Sequence, residues 1–377
     1  MRMLVYMIGS FVFLFCSSVY ADDNLSLSAD SAILMEQDSG RILFEKEAHE
    51  RKRIASITKI MTAILAIESN KLDEMVTVSE RAEHTDGSSI YLKKGEKIKL
   101  LDLVYGLMLR SGNDAAVAIA EHVGGSVEGF VFLMNEKAAR IGMTNTHFAN
   151  PHGLDDHEDH YSTAYDMALL MRYAMHNETF REISGTKVYY APDPEHDWER
   201  KWRNKNRLLT ELYEYCTGGK TGYTKRAHRT LVTTASKDGE NLIAVTLNAS
   251  DDWNDHITMF EYGFKQYNMV GILEEGTIKA IDQKFYKNKV YLDHRIEYPL
   301  TEEEKEAVRV EYKVLKPKEN WGNHPPDIVG KAIVYLGEEM IYKTPIYFDD
   351  SLIYDSSSWI SLFKRLFTAY LGVNNDD

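Results

Sequence analysis

Residues 56–69 read Ser-Ile-Thr-Lys-Ile-Met-Thr-Ala-Ile-Leu-Ala-Ile-Glu-Ser, and this stretch is the most informative about the fold. Its apolar residues recur almost all round a helix of 3.6 residues per turn, which predicts a buried helix. Ser56 and Lys59 are three positions apart, so both side chains would lie on one face of the first turn. A lysine in apolar surroundings can lose its proton, and the neutral amine can then activate a serine hydroxyl. The stretch therefore predicts a buried helix that begins with a nucleophile and its base.

The segments around this helix predict a fold in which helices pack on a mainly antiparallel sheet. Hairpins are expected at residues 31–44 and 230–247, where apolar runs flank the turns at 37–40 and 237–239. Further helices are expected at residues 100–109, 114–122, 127–141, 163–175 and 253–267. Strand patterns at 308–314, 328–336 and 340–348 indicate a small β-rich second domain. The order of elements favours an α+β fold, divided at 22–275 and 276–350, over a repeating βαβ pattern.

Both ends of the chain carry signals for location. Arg2 precedes an apolar run at residues 3–16, and small residues lead up to Ala21, which is typical of a secretory signal peptide cleaved after residue 21. The run is shorter than the roughly 20 residues that cross a bilayer. At the other end, residues 359–371 place Trp, Phe and Leu opposite Lys and Arg on an ideal helix. We expect residues 351–377 to be an amphipathic anchor on a membrane surface, with a helix docked on the β-rich domain as the alternative.

Composition limits the partners. The 377 residues include 44 Lys and Arg against 58 Asp and Glu, a formal net charge of −14. A surface this acidic repels polyphosphate, so nucleic acid is not an expected partner. Cys216 is the only cysteine after residue 21, so the exported chain would contain no internal disulfide.

Two further motifs complete a candidate site. Ser111-Gly112-Asn113 follows an apolar helix, and its serine and asparagine can both face a cleft, one relaying a proton and the other holding a substrate amide. Lys220-Thr221-Gly222 precedes a strand hairpin. There a lysine and a hydroxyl can bind a carboxylate, and a glycine lets a substrate backbone come close. Each motif alone is more often a capped helix or a turn, but the three together, in this order, indicate one site.

The three motifs resemble those of penicillin-binding proteins and serine β-lactamases. The similarity is greatest to the low-molecular-mass D-alanyl-D-alanine carboxypeptidases, and it extends through residues 40–43, 54–62, 109–116, 150–154 and 161–168. It implies a penicillin-binding/β-lactamase-like catalytic domain at 22–275, and an exported enzyme on the outer face of the cytoplasmic membrane. The sequence around Ser111 and His152 resembles members from endospore-forming bacteria that trim spore peptidoglycan.

The resemblance assigns the catalytic roles to three residues. Ser56 would be acylated by the carbonyl of the penultimate D-alanine, with release of the terminal D-alanine. Lys59 would be the general base, and Ser111 would pass a proton to the leaving amine. Neither a cofactor nor a metal ion is implied.

Substrate binding is assigned in the same way. Asn113 would hold the peptide amide, Lys220 and Thr221 would bind the terminal carboxylate, and Gly222 belongs to the same motif. The family's oxyanion hole corresponds to the backbone N–H groups of Ser56 and Tyr223. The implied partners are peptidoglycan stem peptides that end in D-Ala-D-Ala, and β-lactam antibiotics.

Many members of the family bind the carboxylate with an arginine at the position that corresponds to Lys205. A lysine at this position departs from that pattern, so its contribution to carboxylate binding is an open point of the alignment.

Three other functions are compatible with parts of the sequence. A serine β-lactamase would share Ser56, but the glutamate signature that such enzymes use is absent between residues 111 and 220. A non-catalytic penicillin-binding wall protein would not need the intact motifs. A metallopeptidase would use the His and Asp residues at 152–160, although His157 and His160 are three positions apart, where a zinc helix needs four. We expect this segment to be a hydrogen-bonded loop.

Overall fold

The computed structural model describes residues 25–193, 198–318, 321 and 325–349. The predicted signal peptide at 1–21 and the predicted anchor at 351–377 lie outside the described residues. The helices are α1 (Lys59–Glu68), α2 (Glu80–Glu83), α3 (Leu100–Tyr105), α4 (Asn113–Gly124), α5 (Val127–Arg140), α6 (Ala164–Met175), α7 (Glu178–Gly185) and α8 (Asp252–Gln266). Among the described residues, none of these helices by itself has the length and apolar character to cross a membrane.

The strands fall into a large sheet, a β-rich C-terminal sheet and three two-stranded pairs. They are β1 (Ser31–Glu36), β2 (Ile42–Lys46), β3 (Met75–Thr77), β4 (Lys97–Lys99), β5 (Val188–Pro192), β6 (Glu199–Arg203), β7 (Cys216–Thr224), β8 (His228–Lys237), β9 (Glu240–Ala249), β10 (Asn268–Leu273), β11 (Gly276–Thr277), β12 (Val290–Leu292), β13 (Ile296–Leu300), β14 (Val308–Val314), β15 (Ile328–Leu336) and β16 (Glu339–Phe348).

The large sheet is antiparallel and has the order β2-β1-β9-β8-β7, which joins the two predicted hairpins and leaves β7 at one edge. Alternate residues of β1 bury on opposite faces, as the period of a strand requires. Ile33 and Met35 pack with α1 and α6, whereas Ala32 and Leu34 pack with Phe260 of α8. The sheet is therefore covered by helices on both faces.

The predicted helix at 56–69 is present but does not begin as an α-helix. Residues Ala55–Thr58 form a 3₁₀ turn, and α1 follows from Lys59. Eight of the ten residues of α1 are buried, so the all-round apolar pattern did indicate a central helix. The tighter first turn still places Ser56 and Lys59 on the same side, because residues three apart eclipse in a 3₁₀ helix.

The C-terminal sheet has the order β11-β12-β16-β15-β14 and its own apolar core around Tyr286 and Val329. The strand β10, which follows α8 at the end of the first part of the chain, pairs with β13 of the second part. Arg41 of the first hairpin turn forms an ion pair with Glu304, and its guanidinium lies about 5 Å from the rings of Tyr267 and Tyr298. These contacts join the two parts.

Several elements were not predicted from the sequence. The strands β3 and β4 have three residues each, which is too short for a periodic pattern to be read. In the β5–β6 hairpin, four of the five residues of β6 are charged, and α7 has only eight residues. The Lys220 motif, which the sequence predicts to precede a hairpin, lies on the edge strand β7 itself.

Candidate active site

The turn that carries Ser56 is held by two neighbouring segments. Ala55 has a φ of 48°, in the left-handed region that costs residues with a Cβ about 1–3 kcal/mol. Gly153 packs directly on this turn, since a Cβ there would overlap the carbonyl oxygen of Ala55. Gly222 of β7 also packs on it, and a Cβ at this position would lie 3.0 Å from the Ser56 nitrogen. The two glycines let a loop and the edge strand close on the turn and so fix Ser56 beside β7.

Lys59 is buried and has three polar contacts. Its Nζ lies 2.9 Å from Oγ of Ser56, 2.7 Å from Oδ1 of Asn113 and 2.6 Å from the carbonyl oxygen of His152. The last two atoms can only accept a hydrogen bond, whereas a hydroxyl can also donate. A neutral amine has two N–H groups and one lone pair, which matches this set of partners when Ser56 donates to Lys59.

The surroundings of Lys59 favour that neutral form. The side chain is 0% exposed, and Ile57, Ile60 and Met61 around it are equally buried. Burial lowers the pKa of Lys59 well below its usual value, and the positive charges of Lys220 and Lys205 lower it further. The apolar environment expected from the sequence is thus present, and Lys59 is suited to accept the proton of Ser56.

Ser111 and Lys220 form a second serine–lysine pair. Ser111 has a φ of 65°, in the left-handed region, and ends the turn Gly106–Arg110. The Lys220 Nζ donates to Oγ of Ser111 over 3.1 Å and to the carbonyl oxygen of Thr221 over 2.7 Å. Burial lowers the pKa of Lys220 to about 7, with a smaller contribution from Lys205. Lys220 can therefore be charged or neutral near neutral pH.

Asn113 begins α4 and links the site to the loop before it. Its backbone N–H donates to the carbonyl oxygen of Ser88, and its Nδ2 donates to that of Asp86. The neighbouring Asp114 is fully buried and accepts hydrogen bonds from the backbone N–H groups of residues 90 and 92. A side-chain amide has two N–H groups, and the hydrogen bond to Asp86 uses one of the two on Nδ2 of Asn113.

All eight predicted site residues meet at one open cleft of about 320 Å³. Five of them line its wall, namely Ser56, Ser111, Thr221, Gly222 and Tyr223. Lys59, Asn113 and Lys220 are buried beneath the wall and bind to its residues or to one another. The side chain of Tyr223 is 65% exposed. The family roles of these residues stay predictions.

The cleft has further lining residues, and the sequence indicated only one of them. The family pattern points to Lys205, and its Nζ lies 3.2 Å from Oγ of Ser88. Arg229, Asp252 and Trp253 belong to none of the motifs. A charged residue in a strand and an acidic residue at a helix start are both common on protein surfaces, so nothing in the sequence marked them.

The loop at 150–160 supports the site through hydrogen bonds. His160 is buried, and its Nδ1 accepts a hydrogen bond from the Ala149 N–H over 3.1 Å. Its Nε2 therefore carries the proton, 2.8 Å from Oγ1 of Thr58 in the nucleophile turn. Burial lowers the pKa of His160 to about 3, which keeps the ring neutral. Within the described residues, no three His, Cys, Asp or Glu side chains are grouped so that they could hold a metal ion.

Comparison with known proteins gives a consistent result. Residues 18–251 match the family model of the D-alanyl-D-alanine carboxypeptidases. The chain is 38% identical to D-alanyl-D-alanine carboxypeptidase DacF of Bacillus subtilis over 276 residues, which covers 69% of this chain and 70% of the relative. It is 36% identical to D-alanyl-D-alanine carboxypeptidase DacC of Escherichia coli over 289 residues, covering 70% and 68%.

Solved structures extend the likeness into the C-terminal sheet. D-alanyl-D-alanine carboxypeptidase DacD of Francisella tularensis has a TM-score of 0.66 at 29% identity, and covers 87% of this chain and 94% of its own. Penicillin-binding protein 5 of Haemophilus influenzae has a TM-score of 0.71 at 26% identity, and covers 86% and 97%. The predicted α+β penicillin-binding fold with a β-rich C-terminal part is confirmed. This chain belongs to the D-alanyl-D-alanine carboxypeptidase family of low-molecular-mass penicillin-binding proteins.

Proposed function

We propose that Ser56 is the nucleophile with which this chain, a serine-type D-alanyl-D-alanine carboxypeptidase, removes the terminal D-alanine of peptidoglycan pentapeptides. The observation that carries the proposal is the position of the buried Lys59 amine, 2.9 Å from the Ser56 hydroxyl. A serine becomes nucleophilic when an adjacent base takes its proton. The family assigns the substrate, and the geometry supplies the pair that attacks it.

Acylation begins when Oγ of Ser56 attacks the carbonyl carbon of the penultimate D-alanine and its proton passes to Lys59. The carbonyl oxygen then becomes an oxyanion, and the backbone N–H groups of Ser56 and Tyr223 stabilise it. The close packing of Gly222 on the Ser56 nitrogen brings β7 to this position. Removing one such donor costs about 3–4 kcal/mol in other enzymes.

Ser111 completes the step on the leaving-group side. The C–N bond of the tetrahedral intermediate breaks, and the D-alanine nitrogen takes a proton from the Ser111 hydroxyl. Lys220 returns a proton to Ser111 through their 3.1 Å contact, and Lys220 and Thr221 bind the carboxylate of the leaving D-alanine. Lys59 then gives up the proton that it took from Ser56, and Lys220 takes one up, by exchange with water in the open cleft, so that both lysines return to their starting states. A water molecule attacks the ester and passes a proton to the neutral Lys59, and Lys59 gives this proton to Oγ of Ser56 as it leaves the acyl group.

A β-lactam should acylate Ser56 by the same steps, but the resulting ester should be hydrolysed slowly. Its strained carbonyl lies beside a carboxylate, so it mimics the D-alanyl-D-alanine terminus. Attack by Ser56 opens the ring, and the nitrogen that leaves stays tethered where water would enter. Since the glutamate signature of β-lactamases is absent between residues 111 and 220, the ester should be long-lived.

Intact-mass spectrometry with benzylpenicillin tests the assignment of Ser56. The wild-type protein should gain the mass of one drug molecule, and peptide mapping should place it on Ser56. The Ser56→Ala variant should show no adduct and should release no D-alanine from a pentapeptide. An adduct that persists in Ser56→Ala, or its absence from the wild-type protein, would overturn the assignment.

The location of the enzyme and its division into domains are also proposals. We infer that residues 1–21 direct export, that 22–275 form the catalytic domain, and that 276–350 form the β-rich domain. The separate apolar core around Tyr286 supports the last of these. We propose that residues 351–377 bind the outer face of the cytoplasmic membrane. Comparing vesicle binding of the full chain with a version that ends at Ser357 tests the anchor, since equal binding would exclude it.

A further inference from the structure

Arg229 lines the catalytic cleft and has no role in the mechanism above. It lies on β8 directly opposite Tyr223 of β7, two positions from the strand pair that contains Thr221. Its side chain is 39% exposed. Arg229 thus places a guanidinium at the same wall as Thr221, Gly222 and Tyr223.

The orientation of this guanidinium is fixed by two residues of the following helix. Oδ1 of Asp252, whose side chain is only 3% exposed, accepts hydrogen bonds from both Nε and Nη2 of Arg229. The ring of Trp253 lies 5.4 Å from the guanidinium carbon. Asp252 takes up the Nε–Nη2 edge, so a second carboxylate would bind across the end formed by Nη1 and Nη2. A planar guanidinium can bind a carboxylate in this way through two hydrogen bonds.

A group with a permanent positive charge matters in this cleft because the pKa values of its three lysines are lowered, so the lysines lose their protons easily. The pKa of Lys59 is far below its usual value, and Lys59 acts as the neutral base. Burial lowers the pKa of Lys220 to about 7. The pKa of Lys205 is also lowered, first by burial and then by Arg110. Arginine stays charged at every pH at which the enzyme works.

We propose that Arg229 binds the free terminal carboxylate of the substrate and thereby restricts the enzyme to the C-terminal D-alanine. Asp252 and Trp253 are positioning residues that hold the guanidinium for this contact. The inference rests on the proposed function, since it names a specificity group for the same cleft. It assigns to a residue of β8 a role that the family pattern places near Lys205.

Two matched substrates separate this role from a structural one. The first is an acylated D-Ala-D-Ala peptide with a free carboxylate, and the second is the same peptide with a C-terminal amide. Arg229→Gln should lower kcat/KM for the acid by about 10- to 100-fold, the range expected for a hydrogen bond to a charged group. It should change kcat/KM for the amide by less than threefold. Arg229→Lys, which keeps the charge but loses the planar pair of donors, should retain part of the preference for the acid.

The pH dependence gives a second readout that a structural role would not change. In Arg229→Gln, recognition of the carboxylate would depend on lysines that lose their protons as the pH rises. The acid-to-amide ratio of kcat/KM should therefore fall above about pH 7 more steeply than in the wild type. Because the substitution leaves Asp252 buried without its partner, Arg229→Gln/Asp252→Asn serves as a second variant that should show the same ratios.

Arg226→Gln is the matched control. Arg226 is on the same hairpin and also forms a two-point ion pair, with Glu158, but it does not line the cleft. Its acid-to-amide ratio should stay within twofold of the wild type. Two results would overturn the inference. One is an equal loss of kcat/KM for acid and amide in Arg229→Gln, and the other is an acid-to-amide ratio that is unchanged in both Arg229→Gln and Arg229→Gln/Asp252→Asn. These results would leave the proposed function intact wherever benzylpenicillin still acylates Ser56, whereas failure of that reaction in the wild type would overturn both.

Discussion

The part of the chain before residue 276 and the C-terminal sheet after it are stabilised in different ways. Before residue 276, buried side chains include two lysines, several carboxylates and three histidines, whereas from 276 onward the buried polar groups among the described side chains are the hydroxyls of Thr344 and Tyr286. Burying an ionisable group costs free energy unless its partners are well placed. The first part therefore contains costly groups that a stable core does not need, and the second is built as an ordinary apolar core.

This difference indicates where function lies. The two fully buried lysines, Lys59 and Lys220, each contact the hydroxyl of a serine that faces the cleft. Perturbed ionisable groups that gather at a cleft are typical of catalytic sites. If the comparison is right, changes in the first part should alter activity more than stability, and changes in the second part should do the reverse.

The largest effect is expected for Lys59→Ala. Loss of a general base lowers rates by about 10²–10⁴-fold, and here it also removes the partner of Ser56. The rate of acylation by benzylpenicillin, followed by mass, should fall by that factor. Circular dichroism should show the wild-type fold, and the C-terminal sheet should keep its amide protection. An acylation rate within tenfold of the wild type would show that another group deprotonates Ser56.

The reverse case is Tyr286→Ala in the apolar core of the C-terminal sheet. Tyr286 is fully buried, packs on Phe285 and Phe348, and donates to the carbonyl oxygen of Leu315. Removing a large buried aromatic side chain typically costs about 3–5 kcal/mol. The free energy of unfolding of this sheet should fall by that amount, measured with denaturant. The acylation rate at 25 °C should stay within twofold, and Tyr286→Phe, which removes only the hydroxyl, should lose about 1 kcal/mol.

A matching loss of acylation in Tyr286→Ala would contradict the separation of the two parts. It would mean that the contacts between them, such as the ion pair of Arg41 with Glu304, transmit damage from the sheet to the cleft. Repeating the measurement in Arg41→Gln would then show whether that contact is the route.

Regular periodicity explains how much of this organisation the sequence could predict. The continuous apolar run of β1, the alternation in β14 and the all-round apolar pattern of α1 arise from local geometry, so they are visible in the sequence. The spacing of Ser56 and Lys59 is local for the same reason. These features predicted the fold class, which is confirmed, and the candidate catalytic pair.

Contacts between distant residues could not be predicted in this way. Lys59 meets the carbonyl oxygen of His152, 93 positions away, and Lys220 meets Ser111 across 109 positions. The family resemblance placed these motifs in one site, but not the atoms that touch. Arg229 matched no motif, and only the pairing of β8 with β7 brings it to the cleft.

Acid should affect the two parts unequally. Burial lowers the pKa values of His152, His160 and His256 to about 3, and all three lie in the first part. In the unfolded chain these rings take up a proton near pH 6.5, while the folded protein keeps them neutral. Each ring should therefore cost about 1.4 kcal/mol of stability per pH unit as the pH falls from 6.5 toward 3.

Hydrogen exchange followed by mass spectrometry can measure this difference. After correction for intrinsic exchange rates, peptides from residues 150–170 and 228–260 should lose protection between pH 6.5 and 4.5. Peptides from 290–348 should lose much less. His256→Asn should reduce the loss near β8 and β9, because His256 lies between Thr233 and Thr246 of those strands. Equal losses in both parts would contradict the assignment of the acid effect to these histidines.

The smallest effect is expected for Glu158→Gln. This variant tests whether the effect of a substitution on acylation depends on the burial of the ionisable group or only on its closeness to the cleft. Glu158 is 80% exposed and joins Arg226, in the β7–β8 turn, to the loop that supports the nucleophile turn. Exposed ion pairs contribute little because water and salt screen them. The melting temperature should change by no more than about 2 °C, and acylation should stay within twofold at low and high salt. A loss of acylation that approached that of Lys59→Ala would show that this contact positions the strand β7. In that case closeness to the cleft, and not the burial of ionisable groups, would distinguish the first part of the chain from the second.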